Sequence, residues 1–516
     1  MTDTLLTSPL LWTLVSFQLA MGCFDVIYHH ELTERLAWRP NAGKELKLHA
    51  ARNAFYAVLF GIFAWVQPHG VFAWLLLAVL IAEIGITLAD FVEEDMSRKL
   101  PPTERVLHTL LAINYGGVLV LIGPAILSWA ALPTGFAAVN YGFGSWILTG
   151  SAVGCALFGM RDLFTSARAN RFVAPRTADL REFLDRPRSV LITGGTGFIG
   201  TALVRALATG GHDVTVLTRS LDRAGHLAAP VRLVTSLDQI ATSQAFDAIV
   251  DLAGEPVAGG LWTRWRKFHV IASRRRSLCT IETLLRRLAH KPSVLIKASA
   301  VGVYGLRDDT SLTETSPLGD KRLFSVRSCL NCEAAAAKAG QSLAIRTVSL
   351  RVGLVLGRDG GLLGRLLPVF DLALGGRLGS GQQWMSWIGL EDMVRLIAFA
   401  IACEGLEGPV NATAPEPVRN REFVHALGSV LHRPAVFPVP ALPLELGLGD
   451  FAREIILGGQ RVVPDKVKAA GFRFLHPVLG AALTAEIGGV ASKAEAPASR
   501  PHLQASMPSL EHKAAI

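Results

Sequence analysis

The sequence predicts an all-α domain of five transmembrane helices followed by an α/β domain of the Rossmann type, with a doubly wound parallel sheet. Two observations carry this prediction. Before residue 161, apolar residues are concentrated in five stretches that each approach the roughly 20 residues needed to span a bilayer. After residue 188, short apolar runs alternate with helical patterns, and the first run leads into a glycine-rich turn.

The five spans are expected at residues 9–27, 50–66, 71–92, 106–129 and 139–160, within a membrane domain at 1–165. Lysine and arginine are frequent in the connections after the first, third and fifth spans and absent from the other two connections. Because cytoplasmic connections carry the positive charge, the N terminus is expected outside and the chain beyond the fifth span in the cytoplasm. The predicted partner is therefore the lipid bilayer of the inner (cytoplasmic) membrane.

Six polar residues lie within or at the edge of the predicted spans: Asp25, Asn53, Glu83, Asp90, His108 and Asn114. Glu83 and Asp90 are seven residues apart and share a helix face. Ionisable side chains at membrane depth suggest a proton, quinone or metal site, to which His29, His30 and His49 could add ligands. The alternative, which we favour, is hydrogen bonding between helices for the buried residues and interfacial solvation for the histidines, and we assign no metal ligand.

The fifth span contains Gly150 and Gly154, whose spacing is typical of a close helix contact. Residues 166–188 then form a basic connector that we expect along the membrane surface, where anionic lipid attracts arginines. The net charge of +9 is explained by this topology and by a solvated surface. No motif indicates nucleic-acid binding.

Residues 189–219 form the β-α-β unit around which the second domain is organised. The early glycines of its turn permit a sharp bend, Gly197 lets backbone N–H groups approach a pyrophosphate, and Gly200 lets helix and strand pack closely. A diphosphate would then lie at the positive end of the following helix. The expected cofactor-binding residues are Gly194, Gly195, Thr196, Gly197, Phe198, Ile199 and Gly200.

The second strand of this unit, at 214–217, is followed closely by Arg219. An acidic residue at the strand end would accept hydrogen bonds from a ribose 2′-hydroxyl, whereas an arginine suits a 2′-phosphate. We therefore expect NADP(H) rather than NAD(H). A small turn after the next strand is also expected to line the cofactor, through Leu252, Ala253 and Gly254.

Beyond this unit the strand-then-helix pattern continues. A helix is predicted at 262–290, strands at 294–298 and 345–355, and little regular structure in the glycine-rich segment 359–387. The six cysteines show no disulfide framework. Cys329 and Cys332 form a lone Cys-x-x-C pattern, which without a second pair does not predict a zinc site.

Seven motifs follow one another in the order of the extended short-chain dehydrogenase/reductase superfamily: TGGTGFIG, DLAGEPV, KASAVGVYG, LTETSPLGD, LRVGLVLGRDGG, GQQWMSWIGLEDM and GPVNATAPEPV. They resemble its atypical, sugar-nucleotide epimerase-like (NAD-dependent epimerase/dehydratase) branch. The stretch from PVPALPLELG to GFRF resembles the small C-terminal domain of that branch. The resemblance implies an NADP(H)-binding Rossmann domain at 189–435 and a small domain at 436–488. Residues 489–516 are expected to be disordered, because they are rich in Ala, Ser and Pro.

The superfamily reaction uses a Tyr-x-x-x-Lys pair and a serine, and the tyrosine passes a proton to or from the substrate. The matching helix, SVRSCLNCEAAAAK, has Cys329 and Glu333 at the tyrosine and lysine positions. The resemblance leaves Ser299, Tyr304, Cys329 and Glu333 as catalytic candidates, each of which could instead be structural. Glu333 could serve as a general acid if a dry cleft kept its carboxyl group neutral.

Four residues of the predicted substrate-side loop could contact a ligand: Gln383, Trp384, Ser386 and Trp387. Its two tryptophans could stack on a flat ligand or simply close the core.

These features support two hypotheses. The first is a membrane-tethered NADP(H)-dependent oxidoreductase or epimerase/dehydratase that acts on a small molecule in the cytoplasm. The second is a non-catalytic NADP(H)-binding sensor that regulates the membrane domain. The missing Tyr/Lys pair favours the sensor, whereas the retained Ser299 and Tyr304 and the elaborate substrate loop favour the enzyme, which we prefer.

Overall fold

The computed structural model describes residues 8–39, 42–169, 177–227 and 230–487. The predicted tail at 489–516 and part of the predicted connector lie outside these residues. Within them, the N-terminal domain contains five long helices, as predicted. They are α1 Pro9–Phe24, α2 Gly43–Trp65, α3 Val71–Ser97, α4 Pro102–Ala130 and α5 Phe143–Ala169. A π-helical segment, Asp25–Thr33, continues α1 towards a 3-10 turn at Leu36–Trp38.

Four of these helices, α1, α3, α4 and α5, are long and apolar enough to cross a membrane, with α1 taken together with its extension. Helix α2, which carries the predicted span at 50–66, is not among them; the charged Arg52 and the polar Asn53 lie within that span. Two short strands, β1 Val66–His69 and β2 Gly135–Ala138, pair antiparallel. The two connections without lysine or arginine therefore meet at one end of the bundle.

The inner surface of the bundle contains the polar side chains that the sequence singles out. Glu83 and Asp90 are fully buried on one face of α3, and Glu83 accepts a hydrogen bond of 2.5 Å from the Tyr115 hydroxyl. The expected close contact at Gly150 and Gly154 is wrong, because a Cβ atom at either position would have no neighbour within 4 Å. Helix α5 instead approaches α2 at Gly159, where a Cβ atom would lie 3.2 Å from the Ala50 carbonyl oxygen.

Seven parallel strands form the sheet of the second domain, in the order β13-β9-β7-β6-β3-β4-β5. They are β3 Ser189–Thr193, β4 Asp213–Leu217, β5 Arg232–Val234, β6 Ala248–Asp251, β7 Val294–Ala300, β9 Arg346–Val352 and β13 Gly408–Ala412. Val190, Leu191 and Ile192 are fully buried, as expected for a parallel sheet covered on both faces. The strand order reverses between β3 and β6, where the carboxyl ends of the strands leave a ligand crevice.

The long helices of this domain connect the strands in the predicted alternation. They are α6 Phe198–Thr209, α7 Arg264–Arg287, α8 Phe324–Leu343, α9 Gly361–Asp371, α10 Leu390–Ala402 and α11 Asn420–Leu431. Helix α9 corrects the expectation that segment 359–387 lacks regular structure. It forms because Leu363, Leu367 and Phe370 recur at helical spacing and are buried in one apolar core.

The predicted strand at 345–355 is also corrected, because it breaks at Gly353. A Cβ atom there would collide with the carbonyl oxygen of Ser386. The chain leaves the main sheet at this point and forms β10 Leu354–Gly357, which pairs in parallel with β12 Trp387–Gly389. A second small sheet joins β11 Trp384–Met385 to β14 Val418–Arg419.

The C-terminal segment contains α12 Ala441–Leu448, β15 Arg461–Val462, α13 Asp465–Ala469 and α14 Leu479–Ile487. Strand β15 pairs in parallel with β8 Ser311–Leu312. The Glu454 carboxylate accepts hydrogen bonds from the backbone N–H groups of Phe324 (3.2 Å) and Ser325 (2.9 Å) at the start of α8. The segment therefore stabilises the N terminus of the helix that carries two catalytic candidates.

The two domains contact each other through the 3-10 turn after α1 and the end of α5. Trp38 is buried in the same apolar core as Leu367 of α9. The Arg168 guanidinium lies 4.0 Å from the centre of the Trp38 ring and forms an ion pair of 2.8 Å with Asp371. Arg35 donates a hydrogen bond of 2.9 Å to the carbonyl oxygen of Gly364. The segment that follows α1 and the end of α5 thus both contact α9.

Candidate functional site

The glycine turn lies at the switch point between β3 and β6. Gly194 has a φ of +73°, and a Cβ atom there would lie 2.8 Å from the backbone nitrogen of Ala253. A Cβ atom at Gly200 would collide with the carbonyl oxygen of Gly194. These two glycines therefore permit the sharp turn and the close approach of α6 that the sequence predicts.

Gly197 differs from both because the protein leaves space beside it. Its backbone is extended, with φ at −84°, and a Cβ atom would meet only the carbonyl oxygen of Gly194, at 3.2 Å. It is the N-cap residue of α6, and among the residues that the structure describes no side chain caps this helix. The first N–H groups of α6 can therefore bind an anionic group.

The neighbouring residues of the turn are partly structural. Thr196 and Ile199 are half-buried. The Phe198 ring lies under the loop after β10, where Cβ atoms at Gly357 and Gly361 would lie within 3.0 Å of it. Phe198 therefore holds that loop against the glycine turn.

The structure brings the other expected cofactor residues to the same edge of the sheet. Arg219 is exposed just after β4, and its side chain has no partner among the described residues. Leu252 and Ala253 are half-buried after β6, and the exposed Gly254 lies beside Arg274, whose side chain would be 3.3 Å from a Cβ atom there.

A buried ion pair stabilises this edge of the sheet. Lys297 of β7 and Asp251 of β6 are fully buried and lie 2.7 Å apart. Asp251 also accepts hydrogen bonds from Thr193 (2.6 Å) and Ser277 (2.8 Å). This network connects β3, β6, β7 and α7 at the switch point. This network was not predicted from the sequence, although a lysine within the apolar run VLIKA indicates a buried partner.

Three of the four catalytic candidates meet at the carboxyl end of β7. The Ser299 hydroxyl donates a hydrogen bond of 2.8 Å to Glu333 of α8. Glu333 also accepts hydrogen bonds from Nε (3.1 Å) and Nη2 (2.9 Å) of Arg351 on β9. Cys329 lies one helical turn before Glu333. Glu333 therefore accepts hydrogen bonds from a guanidinium and a hydroxyl in this arrangement, which differs from the donating general acid that the sequence suggested.

Tyr304 belongs to the same network but has no exposed surface. Its hydroxyl lies 2.7 Å from Asn411 Oδ1 and accepts a hydrogen bond of 2.9 Å from Arg351. Burial raises the pKa of Tyr304. Tyr304 therefore holds Arg351 in place rather than reaching a ligand. Arg351 and Asn411 were not predicted as site residues, although an arginine inside the apolar strand VSLRVGLV is a signal for a buried partner.

Burial raises the pKa of Cys329 to about 11, and the negative charge of Glu333 adds to this shift. The thiol is therefore protonated at neutral pH and is a poor nucleophile. The other residue of the Cys-x-x-C pattern, Cys332, is buried and also free.

Iodoacetamide should therefore alkylate Cys329 slowly at pH 7.5. A rise in pKa from 9.0 to about 11 reduces the thiolate roughly 100-fold, so labelling should accelerate as the pH approaches 11. Peptide mass spectrometry would measure the rate against the exposed Cys279 as an internal control. Equal labelling of the two residues at neutral pH would show that Cys329 is an activated nucleophile after all.

The substrate-side loop is held mainly by its own contacts. Trp387 is fully buried in the core, as one of the two alternatives for the tryptophans proposes. The guanidinium groups of Arg419 and Arg461 lie 4.1 Å and 4.9 Å from the centre of the Trp384 ring. Gln383 donates to backbone carbonyl groups, and Ser386 Oγ accepts a hydrogen bond of 2.9 Å from the backbone of β15. The loop thus connects the β10–β12 sheet to the β11–β14 sheet.

Comparisons with known proteins concern the second domain. Residues 190–411 match the NAD dependent epimerase/dehydratase family, and residues 439–486 match a domain of unknown function, DUF1731. The chain is 38% identical over 307 residues to the chloroplastic epimerase family protein SDR39U1 homolog of Arabidopsis thaliana, covering 58% of this chain and 86% of that protein. It is 36% identical over 303 residues to the epimerase family protein YfhF of Bacillus subtilis, covering 57% and 97%.

A solved structure of a member of this group of proteins also matches the chain. The human epimerase family protein SDR39U1 (isoform 2), crystallised with NADPH, is 30% identical and superposes with a TM-score of 0.51. The match covers 58% of this chain and 99% of the human chain.

Proposed function

Because this chain belongs to the NAD dependent epimerase/dehydratase family, we propose that it is an NADP(H)-dependent oxidoreductase or epimerase anchored to a membrane by its N-terminal helices. The observation that carries the proposal is the hydrogen-bonded chain from Ser299 through Glu333 to Arg351, at the same sheet edge as the glycine turn. The substrate class that fits is a small molecule with a hydroxyl or carbonyl group.

The residues of this chain fit the cofactor that its human relative binds. The N–H groups at the start of α6 would hold the diphosphate, because no side chain occupies the space beside Gly197. Arg219 would pair with a 2′-phosphate. Leu252, Ala253 and Gly254 would line the cofactor next to the glycine turn. When bound, the nicotinamide accepts or supplies the hydride.

The proton would pass through Ser299 and Glu333. A substrate hydroxyl next to Ser299 can give its proton to the serine while the serine gives its own proton to Glu333. The substrate carbon loses a hydride at the same time, so the alcohol becomes a carbonyl. Arg351 positions the Glu333 carboxylate and stabilises its charge before the proton arrives. Carbonyl reduction is the reverse of these steps and requires a protonated Glu333.

A second candidate function is NADP(H) binding without turnover. The contacts of Arg168 and Trp38 with α9 favour it, since they connect the nucleotide-binding domain to the helical domain. A panel of carbonyl compounds and nucleotide sugars separates the two functions. Oxidation of NADPH by at least one compound supports the enzyme, and persistent failure across the panel supports the sensor.

Replacing Arg219 with aspartate should erase or reverse the preference for NADPH. The wild type should bind NADPH several-fold more tightly than NADH, because only NADPH carries a phosphate for the guanidinium to contact. Calorimetric titration of the variant would test this, with Arg473→Asp as an exposed control in the same domain. Equal affinities of the wild type for both cofactors would contradict the assignment.

Reporter fusions test the membrane anchor. A reporter fused after Arg168 should be cytoplasmic, and one fused after Gln67 should be external, because lysine and arginine residues are retained on the cytoplasmic side. The pairing of β1 with β2 supports a common side for the two uncharged connections. If both reporters were found on one side, the arrangement of five spans would be wrong.

A further inference from the structure

The helical domain contains a cluster of titratable side chains at the end that faces the α/β domain. We call it the polar cluster; its members come from four segments and are Asp25, His30, His49, Asp90, Glu94, Glu104 and His108. None of these residues is more than 8% exposed. The sequence alone favoured hydrogen bonding between helices for these buried residues, whereas the distances within the polar cluster favour another role.

We propose that the polar cluster binds a divalent transition-metal ion through His30, His108, Asp25 and Glu104. One donor atom from each of these four side chains lies within 4.8 Å of the other three. Nε2 of His30 is 3.5 Å from Asp25 Oδ2 and 3.7 Å from Glu104 Oε1, and Nε2 of His108 is 3.1 Å from Asp25 Oδ2. Ligands bonded at about 2.1 Å to one ion lie about 3.0–3.5 Å apart, so small shifts suffice for coordination.

An unpartnered nitrogen points to a ligand in this place. Nε2 of His30 is buried and has no hydrogen-bond partner among the described residues. A buried polar atom without a partner is costly, and an unprotonated imidazole nitrogen is a good metal donor. A second group, His30 with His49 and Glu94, overlaps the first, with His49 Nε2 3.2 Å from Glu94 Oε1. The second group would bind either the same ion or a second ion next to it.

The excess of buried negative charge around the polar cluster also favours a bound cation. Five buried carboxylates, those of Asp25, Glu45, Asp90, Glu94 and Glu104, are accompanied by the two guanidinium groups of Arg52 and Arg98. Buried charges of one sign are unfavourable unless they are neutralised. Protonation of both His30 and His49 is a poor alternative, because their rings stack at 4.6 Å with an interplanar angle of 7°, and two stacked cations would repel.

The donor set defines the class of metal. Two imidazole nitrogens and two carboxylate oxygens suit Zn²⁺, Fe²⁺ or Mn²⁺, whereas Ca²⁺ and Mg²⁺ prefer oxygen ligands alone. Asp25 and His108 also line a largely apolar cavity of about 730 Å³ within the bundle. The ion would thus be reachable from the cavity, as in metal sites that keep an open coordination position.

Metal analysis of the full chain tests this proposal. The wild type, His30→Gln and His108→Gln would be purified in detergent without chelators, and their Zn, Fe and Mn contents measured by mass spectrometry. His69→Gln is the matched control, since His69 lies in β1 at the other end of the bundle. We expect about one equivalent of metal in the wild type and the control, and at least a fivefold loss in the other two variants.

Titration of the wild type with Co²⁺ gives a readout that does not depend on how the variants fold. We expect visible d–d absorption bands that disappear on addition of Zn²⁺. The proposal is overturned if the wild type neither retains metal nor develops these bands. It is also overturned if His69→Gln loses as much metal as His30→Gln.

Discussion

Replacing Glu333 with glutamine should lower turnover by about 10²–10⁴-fold, the usual effect of removing a proton-transfer group. Glutamine keeps the shape of the side chain but cannot take the Ser299 proton. Ser299→Ala should lower turnover by at least roughly tenfold, since it breaks the same transfer at its first step. The assay uses the first substrate found in the carbonyl and nucleotide-sugar panel, and NADPH affinity is measured in parallel.

Two further measurements make this result specific. Glu333→Gln should change the pH dependence of turnover, because Glu333 no longer titrates, whereas Glu404→Gln, at an exposed position of the same domain, should behave as the wild type. NADPH affinity should stay nearly unchanged in all of these variants. Normal turnover in both Ser299→Ala and Glu333→Gln would place the proton transfer elsewhere.

Replacing Gly197 with valine should weaken NADPH binding on the order of 100-fold or more, because a side chain would occupy the space above the first turn of α6. The fold should tolerate this change, since φ at Gly197 is −84° and a Cβ atom would meet only one protein atom, at 3.2 Å. Calorimetric titration measures the affinity, and thermal unfolding checks the fold.

Gly405→Val is the matched control for this variant. Gly405 lies in a turn of the same domain, and a Cβ atom there would have no neighbour within 4 Å. Its NADPH affinity should equal that of the wild type. Unchanged binding in Gly197→Val would mean that the glycine turn is not the cofactor site.

The features that the sequence predicted well are local ones. The turn from Gly194 to Gly200 is recognisable because strand, glycines and helix are consecutive in the chain, and their conformations depend on their immediate neighbours. The alternation of apolar runs and helical patterns likewise predicts a parallel sheet. Arg219 follows β4 directly, so its location at the sheet edge needs no information about distant residues.

The features that the sequence did not predict depend on contacts between distant segments. Arg351 and Asn411 complete the network around Glu333, but they lie on strands whose neighbours are known only once the sheet has formed. The same reason applies to Gly353, where a close approach of Ser386 ends the strand. Tyr304 looked like a proton donor in the sequence, and only packing against Asn411 and Arg351 reveals that it is buried.

The helical domain shows the same limit. Its polar residues were recognisable one by one, but their convergence depends on how the helices pack. His30 and Glu104 are 74 positions apart, yet their donor atoms lie 3.7 Å from each other. The spacing of Gly150 and Gly154 likewise overstated their role, since a Cβ atom at either position would have no neighbour within 4 Å among the described residues.

Calorimetric titration of the full chain, purified in detergent, with NADPH and then with NADH tests the proposed cofactor site most directly. We expect about one NADPH bound per chain and several-fold weaker binding of NADH, as for a Rossmann site with Arg219 after its second strand. The absence of measurable NADPH binding would contradict the proposed function.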